Sequence, residues 1–132
     1  MNYLAILLAA LAAVVVGSLW YSPLLFGKVW LRLRHVDPSA MQGMSFPKRQ
    51  MAVAFVAALV CAYVLALFVS ALGISTVGSA LRLGFFVWLG FYATTLVDPV
   101  LWEDRPWMLY TLNAGHRLIS TLVMALVIGV FL

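Results

Sequence analysis

The chain has 132 residues, of which 66% are hydrophobic and 9% charged, with a formal net charge of +4 and a mean hydropathy of +1.10. Soluble domains carry about 25% charged residues, and a small soluble fold leaves much of its surface wet. An ordinary soluble domain is therefore excluded, and lipid is the expected solvent for a single unit spanning residues 1–132.

The first apolar run, about Tyr3 to Phe26, carries no charge until Lys28. Roughly 20 apolar residues suffice to cross a hydrocarbon core of about 30 Å. A secretory signal places positive charge before its apolar core. Here the charge follows, so a retained membrane anchor is expected. Pro23 and Gly27 mark the end of the run, and Trp20, Tyr21 and Trp30 suit headgroup level.

Residues 28–49 form the longest polar stretch and hold five of the eight basic residues: Lys28, Arg32, Arg34, Lys48 and Arg49. Its opening, from Lys28 to His35, reads as a short interfacial helix, broken by Asp37-Pro38-Ser39 and by Gly43. Phe46-Pro47 leads into the second span. Because this cluster flanks hydrocarbon-length runs, it reads as a topology signal and an anionic-headgroup contact, not a nucleic-acid site. The second span covers residues 51–72. A turn over residues 73–80 precedes the third, residues 81–97, which Asp98-Pro99 should stop. The fourth covers residues 107–132. The predicted fold is an all-α integral membrane protein of four transmembrane helices, arranged as two hairpins. Basic loop 28–49 on the cytoplasmic side makes it N-out/C-out.

Inside a bilayer, helices associate through small residues that permit close backbone approach. The second span carries Ala54, Ala58, Ala62, Ala66 and Ser70 at steps of four. The first offers Ala9, Ala13 and Gly17, and the fourth Thr121, Ala125 and Gly129. These rows are the expected helix-packing seams. Cys61, alone in an apolar run, reads as a packing residue and supports neither a disulfide framework nor a cysteine metal site.

The polar constellation lies on the fourth span: Asn113, His116, Arg117, Ser120 and Thr121, brought toward one face by offsets of three and four. A charge at the depth of Arg117 costs about 2.5–3.5 kcal/mol on insertion scales and should face the bundle, a cavity or a partner. Asp98, Glu103 and Asp104 are candidate counter-ions. Three readings stand: an ion pair closing the inner end of the bundle, an anion or headgroup site formed by Asn113, His116 and Arg117 with Asp98 or Glu103, or exposure of Arg117 at a frayed helix start. No nucleophile motif, phosphate loop or metal-ligand spacing is present, so no catalytic residue, cofactor or metal is assigned.

The segment from Gly17 to Trp30 (GSLWYSPLLFGKVW) resembles the opening signature of the DUF1761 family, small bacterial membrane proteins of unknown function. Glu103-Asp104-Arg105-Pro106-Trp107 and Leu112-Asn113-Ala114-Gly115 resemble its later segments. The resemblance implies a four-helix protein of the bacterial inner membrane and no particular activity. It singles out Trp20, Tyr21, Pro23, Phe26, Gly27 and Trp30. Read from residue chemistry alone, these anchor and turn the chain at the interface, with Lys28 reaching lipid phosphate. The leading functional expectation is a non-catalytic structural or accessory component of a homo-oligomer or larger membrane complex, with membrane lipids as partners. The alternative is binding or transport of a small molecule, ion or lipid through the polar site on the fourth helix.

Overall fold

A computed structural model describes residues 2–37 and 47–132. The expected breaks at Pro38, Ser39 and Gly43, and the approach through Phe46, lie outside the described residues. The described chain is helical, without strands. It comprises α1 (Tyr3–Trp20), α2 (Gly27–Leu33), α3 (Lys48–Ala71), α4 (Val77–Val87), α5 (Asp98–Trp102) and α6 (Trp107–Val130). A π-helical stretch (Trp88–Ala93) and a 3₁₀ turn (Thr95–Val97) join α4 to α5 without a break. Four helical units are long and apolar enough to cross a membrane: Tyr3–Trp20, Lys48–Ala71, Val77–Trp102 and Trp107–Val130. This is a multi-pass membrane protein.

Local chemistry sets the helix ends. The Asn2 side chain accepts from the Ala5 amide at 3.2 Å to cap α1, and Thr76 Oγ1 accepts from the Ser79 amide at 3.2 Å to cap α4. At the end of α3, Gly73 adopts φ +65°, and the Ile74 amide donates to the Val69 carbonyl at 3.0 Å. This αL turn uses the conformational freedom of glycine to satisfy carbonyls that the helix leaves unpaired.

Several boundaries differ from the sequence reading. The first apolar run does not continue as helix to Phe26: α1 stops at Trp20, and residues 21–26 fold into a turn. Proline at 23 disfavours helix before it. The third helix begins before residue 81, at Val77, because Thr76 supplies a cap. It also runs past Asp98-Pro99, since Pro99 occupies the first turn of α5, where a missing amide breaks no helical bond. The second helix starts at Lys48, its basic residues lying on the first turn rather than in the loop.

Helices α1 and α6 form the centre. Each packs along the other; α3 covers α1, α4 covers α6, and α3 touches α4 and α6 only sparsely. The least apolar span, α6, is the most buried, and the third span is the least. In lipid, polar side chains gain by turning inward, so the central position falls to the helix that carries them. The core holds Ile6, Ala9, Ala10 and Ala13 of α1, Ala62, Leu65, Ala66 and Val69 of α3, and Met124, Ala125 and Ile128 of α6. Against α4, a Cβ placed on Gly84 meets the Ala125 Cβ at 2.9 Å, and one on Gly129 meets the Ala80 Cβ at 3.1 Å. The row Thr121, Ala125, Gly129 thus meshes with Ala80 and Gly84, a small-residue interface of the kind that holds membrane helices together.

Candidate binding cavity

The turn after α1 builds one wall of the site. The Phe26 amide donates to the Trp20 carbonyl at 3.0 Å and the Gly27 amide to the Ser22 carbonyl at 2.9 Å. A Cβ on Gly27 would lie 2.5 Å from the Tyr21 carbonyl oxygen, so only glycine closes this turn. The closed turn stacks Phe26 on Trp20 (ring centroids 4.7 Å apart) and Trp30 of α2 on Tyr21 (5.0 Å). Pro23 is exposed on the turn and Lys28 on the outer side of α2.

Trp20 and Tyr21 then dock on α6. Trp20 Nε1 donates to the Leu112 carbonyl at 3.1 Å, and its ring rests where a Cβ on Gly115 would stand, 3.2 Å away. The Tyr21 hydroxyl donates to Asn113 Oδ1 at 2.7 Å. Across the bundle, Trp88 Nε1 donates to the Ala114 carbonyl at 2.8 Å, and the Tyr110 hydroxyl to the Ala93 carbonyl at 2.9 Å. Both contacts fall on the π-helical stretch. There the i−4 ladder is interrupted; the Ala93 carbonyl accepts from an α6 side chain, and Trp88 in turn reaches an α6 carbonyl.

Between α1, α3, the π-helical stretch and α6 lies a cavity of about 720 Å³. It lies where the α3 seam opens: Ala62 and Ala66 are buried, Ala58 is half-buried, and Ala54 is exposed into the cavity. Ser70, at the far end of the seam, borders a separate hollow of about 210 Å³. Ala9 and Ala13 of the α1 seam are buried. Gly17 lets His116 approach, since a Cβ there would sit 3.2 Å from His116 Nε2.

The polar lining comes mainly from α6. His116 is 8% exposed and Ser120 is 4% exposed, and both line the cavity. The His116 ring makes an edge contact with Tyr21 at 5.0 Å, but neither His116 nor Ser120 hydrogen-bonds to any described residue. Arg117 also lines the cavity. It is exposed, with its guanidinium carbon 5.5 Å from the centre of the Tyr92 ring, whose hydroxyl meets Cys61 Sγ at 3.3 Å. Asp98, Glu103 and Asp104 are exposed around α5 and do not line the cavity. Among the described residues no ion pair joins Arg117 to Asp98, Glu103 or Asp104; the expected counter-ion contact is replaced by the Tyr92 ring face. Asn113 belongs to the Tyr21 contact rather than to the cavity lining. No cluster of three metal-ligating side chains occurs among the described residues.

The sequence reading brought out His116, Arg117 and Ser120 but not the opposing wall of Tyr92, Cys61, Ala57 and Met51. Those residues carry no spacing signal, because α3 and the π-helical stretch meet only in three dimensions. The model of the DUF1761 family, described as a protein of unknown function, matches residues 4–129. The chain belongs to the DUF1761 family. Its signature segment Gly17–Trp30 is the piece that closes the turn, docks on α6 and supplies the α1 and α2 side of the cavity. No curated protein and no solved structure matches this DUF1761 chain.

Proposed function

We propose that this DUF1761 protein is a non-catalytic, membrane-embedded binding protein that holds a small amphiphilic molecule in the cavity beside α6. The observation that carries this reading is the lining. His116, Ser120 and Arg117 line one cavity, and neither His116 nor Ser120 has a hydrogen-bonding partner among the described residues. Among the described residues no sealed side-chain nitrogen or oxygen lacks a partner, so the polar atoms of His116 and Ser120 open on the cavity, as the exposed Arg117 side chain does. A bound molecule supplies the missing partners. A volume of about 720 Å³ lies within the range of about 300–1,000 Å³ typical of small-molecule clefts.

The same reading places the protein in the bacterial cytoplasmic membrane as two hairpins, with both termini outside. Support comes from the basic residues of α2 and the start of α3, which favour the cytoplasmic side. Native mass spectrometry of protein extracted in mild non-ionic detergent tests the proposal. A co-purifying adduct that His116→Leu with Ser120→Ala removes, while the fold persists, is the expected result. Protein free of adduct, and a cavity closed to small thiol reagents at Cys61, would return the chain to a structural or accessory role in a homo-oligomer or larger complex.

A further inference from the structure

Resting on the reading of this cavity as a ligand site, we infer that its ligand is an acyl chain with an anionic head, the head on Arg117 and the chain between α1 and α3. Charge supports the head. Arg117 is the one charged side chain lining the cavity among the described residues, and no acid shares that lining. A cationic head would meet like charge, and a neutral head would leave the guanidinium uncompensated at a depth where charge is costly. The planar fork of arginine matches the paired oxygens of a carboxylate or phosphate. Ser120 and His116, one helical turn apart, are within the same lining to complete the head's hydrogen bonds.

Shape supports the chain. Toward the middle of the bundle the walls are Ala13, Ala58, Cys61 and Met124, apolar and mostly small. From Met51 to Cys61, both lining residues of α3, the cavity runs roughly 15 Å at about 1.5 Å per residue. That is about half of a hydrocarbon core. The mouth supports the sign of the charge a second time. Trp30 lines it, Arg34 stacks over that ring at 4.6 Å, and Lys28 and Arg32 are exposed on the same short helix. Such a basic interfacial element gathers anionic amphiphiles from the membrane surface. A free fatty carboxylate and an anionic phospholipid share this chemistry.

The test is tryptophan quenching in nanodiscs of zwitterionic lipid, using dibromostearate, the matching dibrominated alcohol and brominated phosphatidylglycerol. Trp30→Phe identifies the signal from the cavity mouth. Saturable quenching by the carboxylate, displaced by unbrominated oleate and at least about tenfold tighter than the alcohol, is expected. Arg117→Gln should abolish that preference and Arg117→Lys should retain part of it. Saturable quenching by the phosphatidylglycerol alone names the membrane lipid as the source; quenching by the carboxylate alone names the free acid. Equal binding of alcohol and carboxylate, or a preference untouched in Arg117→Gln, overturns the inference while leaving the binding site in place. So does a mass adduct on protein that none of the three probes quenches. Absence of both adduct and quenching removes the site itself.

Discussion

Replacing Gly27 by alanine tests the turn on which the site depends. The added Cβ would stand 2.5 Å from the Tyr21 carbonyl oxygen and 2.7 Å from the carbonyl carbon and oxygen of Ser22. All three are backbone atoms, and the Ser22 carbonyl is held by the Leu25 and Gly27 amides, so no flexible side chain can yield. The turn must open, at a cost of about 1–3 kcal/mol for overpacking. Opening also strains the Trp20 and Tyr21 contacts to α6, each worth about 0.6 kcal/mol on average between membrane helices. A loss of roughly 2–4 kcal/mol is therefore expected for Gly27→Ala. Gly78→Ala is the control: nothing lies within 4 Å of its added Cβ, and α4 should gain up to about 1 kcal/mol from helix propensity. Reversible denaturation in mixed micelles, followed by tryptophan fluorescence, measures both. Equal stability of the two variants would refute the account of the turn.

Two further substitutions probe other contacts. Gly84→Ala should destabilise the α4–α6 seam by about 1–3 kcal/mol through its 2.9 Å approach to the Ala125 Cβ, and Ala125→Gly in the same chain should restore much of it. A double-mutant cycle in the same denaturation assay checks this, and strict additivity would contradict it. Arg117→Gln should leave stability within about 1 kcal/mol of the native protein, because Asp98, Glu103 and Asp104 lose no partner and an exposed charge leaves the hydrocarbon. Breaking a buried ion pair would instead cost about 3–5 kcal/mol, and unfolding curves separate the two cases.

The four long helices were legible because hydrocarbon thickness imposes a length that composition reveals directly. Their ends were less legible. Apolar character marks where lipid lies, whereas the ends of α1 and α4 are set by Pro23 with Gly27 and by Thr76, which act on the backbone. The small-residue rows on α1, α3 and α6 could be read from their spacing. Their partner on α4, Ala80 with Gly84, follows the same rule but is short and surrounded by large apolar residues. On the polar side, His116, Arg117 and Ser120 stood out because such residues are rare in apolar helices. The pairings were not readable: Tyr21 with Asn113, Trp88 with the Ala114 carbonyl, and Arg117 with Tyr92 join positions far apart in the chain. The π-helical stretch that carries Trp88 and Tyr92 left no mark in the periodicity.

The opening signature illustrates the difference. As interfacial anchors, Trp20, Tyr21 and Trp30 needed only aromatic rings with polar tips. In the folded chain Trp20 and Tyr21 also point at α6, and Trp30 borders the cavity, so one segment serves both the turn and the site.

The most direct measurement is an experimental density map of the protein in a lipid nanodisc, resolved around Arg117. Elongated non-protein density in the cavity, ending within hydrogen-bonding distance of the Arg117 guanidinium and Ser120, is the expected result. Helices α3 and α6 closed on each other, with Arg117 paired to Asp98 or Glu103 and no space between, would contradict it.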